Sequence, residues 1–190
     1  GLPTTAPQIV DRFKNLPLEF APGAKFNYSN SGYVLLGAII EKVTGEPYEK
    51  YLRDNIFQPL GMDGSGYDHA PTVLPDRASG YEFPDDRMAN ASYVDMSVPY
   101  SAGALYSTVE DLYKWDRALY TEKLVSKASL AKMFTPFASK AGLSKEAAPS
   151  GAGYAYGWMV DEFAGHKNIH HSGGVNGFTT NISRFPADDA

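Results

Sequence analysis

Between Tyr33 and Val43 nearly every residue is apolar, and Gly45 follows as a helix stop. The run is too short to cross a membrane, which takes about 20 apolar residues. A helix apolar on all sides belongs in the middle of a domain, so this stretch predicts a buried helix around which the rest is arranged. The residues in front of it, Tyr28-Ser29-Asn30, are richer than a helix start requires. One small polar cap suffices, and Ser29, Asn30 or Ser31 would serve, with Tyr28 as a hydrophobic staple.

Around that helix the first part of the chain reads as helical. Ala6 to Phe13 predicts a short helix, followed by a loop punctuated by Pro17, Pro22 and Gly23. Pro47 opens another helix, with Tyr48, Tyr51, Leu52 and Ile56 at helical spacing. The stretch 63–101 is rich in Gly, Pro, Asp and Tyr without a period, which marks a functional loop region rather than a linker. Within it "DGSGYD" lacks the glutamate that a calcium loop carries at position twelve, where Leu74 stands, and reads as turns. Ser107-Thr-Val-Glu110 is a capping box, and Ser126 to Phe134 predicts one more helix. Lys140 to Gly153 reads as a flexible connection.

The pattern then changes. Tyr154, Tyr156, Trp158 and Val160 alternate as in a strand, and Asn168–Ser172 and Phe178–Phe185 continue an antiparallel meander. The expected class is α+β. The expected division is a mainly helical part, 1–153, and a strand part, 154–190.

Composition removes several functions. The 190 residues carry a net charge of −5, and no basic cluster offers a surface to nucleic acid. There is no cysteine, hence no disulfide, thiolate metal site or cysteine nucleophile. His166, His170 and His171 are close in sequence but fall in a predicted strand and not in the helix whose turn brings His-x-x-x-His within reach of one ion, so no metal is expected. Nothing in the sequence calls for a cofactor.

A second unusual stretch stands far from the first. In "HHSGGVNGF", His170 to Phe178, a His-Ser-Gly runs off a strand into glycines; alone it reads as a tight hairpin. Taken with Tyr28-Ser29-Asn30, it resembles the serine β-lactamase and penicillin-binding protein superfamily, particularly its class C-like esterase and peptidase branch. That superfamily carries Ser-x-x-Lys, then Tyr-x-Asn, then Lys/His-Thr/Ser/Gly-Gly on a strand. Tyr28-Ser29-Asn30 matches the second motif and His171-Ser172-Gly173 the third. The flanks "PGAKFNYSNSGYVLLGAIIEKVTGEPYEKYLRDNIFQPLGM", "SAGALYSTVEDLYKW" and "GWMVD" resemble the family's blocks.

The resemblance implies a β-lactamase/transpeptidase-like fold and acyl transfer to a serine, on an ester, a D-amino peptide or a β-lactam. Tyr28 would take or relay the nucleophile's proton. A phenol with an intrinsic pKa near 10 does so only where cations favour its phenolate. His171 would supply polarity or positive charge beside it. Asn30, Ser172 and Gly173 would hold substrate, and the backbone N–H of Gly174 would be one oxyanion donor. A His in the third motif favours an esterase or peptidase over a β-lactamase, and the resemblance suggests a periplasmic or secreted protein.

The family's first motif is not found ahead of Tyr28. The chain opens "GLP", as if inside the phrase His-Thr-Ser-Gly-Leu-Pro that follows Ser-x-x-Lys in the family, which reads as an internal fragment lacking the nucleophile. The one Ser-x-x-Lys present, Ser129-Leu-Ala-Lys132, has the wrong order and lies in an amphipathic helix pattern. The rival to a hydrolase is a non-catalytic, ligand- or partner-binding member of the superfamily. A fragment is also expected to self-associate through unpaired strands.

Overall fold

The computed structural model of the chain describes residues 2–139 and 152–189. In chain order the elements are α1 (Ala6–Asp11), α2 (Asn30–Thr44), α3 (Tyr48–Leu52), a π turn over Arg53–Phe57 and α4 (Gln58–Leu60). Next come β1 (Gly66–Tyr67), β2 (Tyr81–Glu82), β3 (Ala89–Asn90) and β4 (Leu105–Tyr106), with 3-10 turns at Pro84–Asp86 and Tyr100–Ala102. Then follow α5 (Val109–Ala118), α6 (Lys127–Met133), β5 (Ala138–Ser139), β6 (Gly153–Tyr154), β7 (Met159–Phe163), β8 (His166–Val175) and β9 (Phe178–Arg184). The class is α+β, as the sequence predicts. No helix among the described residues is long and apolar enough to cross a membrane.

The chain groups into two compact units, neither of them continuous in sequence. One comprises Gly1–Leu16, Ser29–Lys114 and Gly173–Thr180; the other comprises Pro17–Tyr28, Trp115–Ser172 and Asn181–Ala190.

In the first unit, α2 starts and stops as its sequence dictates. Ser29 caps it, accepting from Gly32 N–H at 3.3 Å, and Gly45 ends it in the left-handed region at φ 73°. Its expected burial on all sides is not found. Only Val34 and Gly37 are buried, while Leu35, Leu36, Ile39 and Val43 are 42–78% exposed. Within this unit α2 packs against α1, α3 and the Tyr100–Ala102 turn, the last lying along one stripe of the helix. Apolar composition permits burial but does not provide a partner for every face.

That stripe is tight. Ser101 Oγ donates to Tyr33 O at 2.8 Å, and a methyl group built on Gly37 overlaps the Ser101 side chain and lies 2.9 Å from Tyr100 Cε1. Gly37→Ala should therefore destabilise by about 1–3 kcal/mol, against the gain of a few tenths to 1 kcal/mol that Gly→Ala gives in an open helix. Urea melts of the two forms measure the difference, and a more stable variant would show that the turn yields freely.

The loop region 63–101 is fastened by specific contacts. β1 pairs antiparallel with β4, Gly66 opposite Tyr106 and Tyr67 opposite Leu105. Asp68, 8% exposed, holds both terminal amino groups of Arg77 at 2.6 and 2.7 Å. The cap of α5 is one residue later than expected. Thr108 Oγ1 accepts from Asp111 N–H at 3.1 Å, whereas Ser107 Oγ lies 2.7 Å from Ser65 Oγ and is committed there.

The five-stranded sheet has the order β5-β6-β7-β8-β9, the meander expected. The alternation from Tyr154 to Val160, however, is not one strand. It is a hairpin, with Tyr154 opposite Met159 and Gly153 opposite Val160, because Gly157 turns the chain at φ 78° and Ala155 N–H donates to Trp158 O at 2.7 Å. The next hairpin turns at Ala164 and Gly165, both at positive φ, as a two-residue type I′ turn requires. The flexible connection expected at Lys140–Gly153 lies, up to Gly151, outside the described residues; Gly153 itself starts β6. Leu119, Ala155, Trp158, Val160 and Ile169 form the buried core here, with Trp115, Leu130, Phe134 and Ile182 packed on it.

Candidate active site

The sheet of the second unit decides where the third motif's histidine points. β7 and β8 are in register, Met159 opposite His170 and Asp161 opposite Asn168. Consecutive side chains leave a strand on opposite faces, so His170 and His171 meet different neighbours. His170 Nε2 lies 3.1 Å from Asp161 Oδ2, an oxygen pair that also accepts from Asn168 Nδ2 at 3.0 Å. His171 instead meets Tyr154, its Nε2 lying 3.0 Å from the phenol oxygen.

The protonation pattern of His171 follows from its other nitrogen. Nδ1 is 2.6 Å from the Ser172 carbonyl, which only accepts, so Nδ1 carries the hydrogen. In the neutral ring Nε2 then accepts from the Tyr154 hydroxyl. A fixed tautomer and a fixed ring plane result.

The Tyr28 ring lies beside this pair. Its centroid is 6.0 Å from that of His171 and 6.1 Å from that of Tyr154, the latter edge-on; Phe26 stacks on Tyr154 at 5.0 Å. Tyr28 is 42% exposed. The structure thus brings together Tyr28 and His171, from opposite ends of the sequence, in one aromatic cluster. Ser172 is exposed on β8 within the same unit.

Asn30, Gly173 and Gly174 belong to the other unit. Asn30 is the exposed first residue of α2, directly after the Ser29 cap, while both glycines are exposed on β8. Ser129 lies on exposed α6, where its Oγ accepts from the Ser126 cap at 3.2 Å. His166 pairs with Asp188 at 2.8 Å, so the three histidines go to three different partners. Among the described residues no three His, Cys, Asp or Glu side chains are grouped to hold a metal ion.

Tyr154 is the residue that sequence reasoning missed. It reads there as one member of an alternating strand. Its only signal is an aromatic placed beside a turn, and nothing local says that its hydroxyl meets an imidazole.

Known proteins match this chain along its length. Penicillin-binding protein 4* of Bacillus subtilis is 31% identical over 192 residues, which cover 93% of this chain and 41% of that protein. The octameric penicillin-binding protein homologue from Pyrococcus abyssi superposes with a TM-score of 0.85 at 34% identity, covering 100% of this chain and 43% of its own. A D-stereospecific amidohydrolase from Streptomyces sp. follows at TM-score 0.82 and 30% identity, covering 95% and 53%. The chain therefore spans about half or less of these relatives, and their fold, β-lactamase/transpeptidase-like, is the fold seen here. Residues 1–189 match the family model described as Beta-lactamase. The chain belongs to the beta-lactamase family.

Proposed function

We propose that this chain carries the tyrosine–histidine half of a serine acyl-transfer site, acting on an ester, a D-amino amide or peptide, or a β-lactam. The observation that carries the reading is the Tyr28–His171 pair, 6.0 Å between centroids, with His171 locked by Tyr154 and the Ser172 carbonyl. A binding module has no need to place a phenol beside an oriented imidazole; proton transfer during acylation does.

In this reading Tyr28 takes the proton of the attacking serine hydroxyl as its oxygen bonds to the acyl carbon, and passes it to the leaving group. His171 presents a polar edge to Tyr28, and when protonated it lowers the cost of the phenolate. Ser172, next to His171 on β8, is exposed to hydrogen-bond the substrate. The family resemblance further gives Asn30 and Gly173 substrate-holding roles and the Gly174 N–H an oxyanion role. Similarity to penicillin-binding proteins and to a D-stereospecific amidohydrolase supports amide-like substrates.

The nucleophile of this reading is not among the 190 residues, and Ser129 is a helix-surface serine. The chain incubated with a fluorophosphonate or a labelled penicillin should keep its intact mass. An adduct mapped to Ser129 would make Ser129 and Lys132 the working pair and overturn the assignment.

A further inference from the structure

The second unit holds a cavity of about 370 Å³ between α6, the residues that follow α5, and strands β8 and β9. Its size falls in the range of small-molecule sites. Leu119, Leu130, Phe134 and Ile169 give it an apolar floor continuous with the core. The charged residues lining it are Lys127, Lys167 and Arg184, three cations and no carboxylate, in a chain whose net charge is −5.

Arg184 is 2% exposed. Its Nε donates to Asp116, and its guanidinium lies 4.6 Å from the Tyr120 ring centroid and 4.9 Å from that of Phe134. Asp116 balances the charge of Arg184, whereas neither lysine is held in an ion pair among the described residues, although Glu162 stands opposite Lys167 across β7 and β8. Glu122 accepts from the backbone N–H of Lys127 at 2.9 Å, Asp189 holds Arg117 at 2.6 Å, and Asp188 holds the His166 ring. An apolar hollow whose own lining offers two exposed ammonium groups and no carboxylate is complementary to a monoanion with an apolar body.

We propose that this cavity binds an amphipathic carboxylate, its chain against Leu119, Leu130, Phe134 and Ile169 and its headgroup at Lys127 and Lys167. The proposal does not depend on the acyl-transfer reading, since it involves neither Tyr28 nor His171. Decanoate below its micellar concentration is a suitable probe, with 1-decanol as the uncharged control, followed by methyl-resolved NMR of the 190-residue chain. Decanoate should shift the Leu130 and Ile169 methyls saturably. The double charge reversal Lys127→Glu/Lys167→Glu should raise its Kd at least about tenfold, and decanol should bind correspondingly more weakly than decanoate. The milder Lys127→Gln/Lys167→Gln reads the same effect should the reversal fail to fold. The proposal falls if decanol binds as tightly as decanoate or if the neutralised variant binds unchanged. It falls equally if the shifts are absent, or appear on Leu35, Leu36 and Ile39 of α2 instead.

Discussion

Tyr28→Phe should lower kcat by about 10² or more in a longer protein that carries a Ser-x-x-Lys ahead of this segment, while leaving its stability nearly unchanged. General acid–base groups contribute on the order of 10²–10⁴ to rate, and the phenol oxygen is all that this substitution removes. The ring stays, so the edge-on contact with Tyr154 and the neighbouring His171 ring are retained. The ring is 42% exposed, which limits what its loss of polarity can cost in folding. His171→Ala should also reduce kcat, whereas His170→Ala, whose partner is Asp161, should be much the milder change. Turnover of a chromogenic ester, paired with a thermal melt for each variant, separates the cases. An unchanged kcat in Tyr28→Phe would leave Tyr28 as a hydrophobic staple and remove it from the chemistry.

The largest stability effect is expected from the Asp116–Arg184 pair. The Arg184 side chain is 2% exposed and that of Asp116 15%, so neither recovers water when its partner is deleted. Removing one member of a buried pair costs about 3–5 kcal/mol, because the other charge stays buried without compensation. Asp116→Ala should be the worse of the two single changes, since the cation it strands is the more deeply enclosed. A drop in Tm of roughly 10 °C follows for a chain of this length. Asp116→Ala/Arg184→Met should recover much of the loss, for the second change removes the stranded charge and leaves an apolar chain among Tyr120, Phe134 and Trp158. Additive losses in the double variant would mean that the two residues act through separate contacts.

How far the sequence discloses this molecule depends on the range of the interaction in question. Helix ends were legible because their chemistry is local: Ser29 caps α2, Gly45 terminates it in the left-handed region, and Ser126 starts α6. The α5 cap was off by one because both Ser107 and Thr108 have an acidic residue three places on. Only the tertiary bond of Ser107 to Ser65 decides between them. The break at Gly157 was hidden because apolar alternation runs through it, and alternation reports faces, not the sign of φ. The outward face of α2 was misread for a similar reason: composition states preference and not the presence of a neighbour. Of the candidate site, Tyr28 and His171 were legible only as a matched pair of motifs. Tyr154, which fixes the imidazole, was not, since its partner lies across a hairpin and a strand.

The interleaving of the two units has a consequence for how such a chain can be inherited and dismantled. Each unit is assembled from three separate stretches, and the backbone passes between them at Tyr28–Ser29, Lys114–Trp115, Ser172–Gly173 and Thr180–Asn181, as well as at Leu16–Pro17. No single break in the gene separates the two units, and a crossover at any one point between Tyr28 and Thr180 would leave both with missing walls. A protease nick in the middle of the chain likewise releases no self-sufficient half. Selection must therefore treat the two units as one heritable object, although each has its own core.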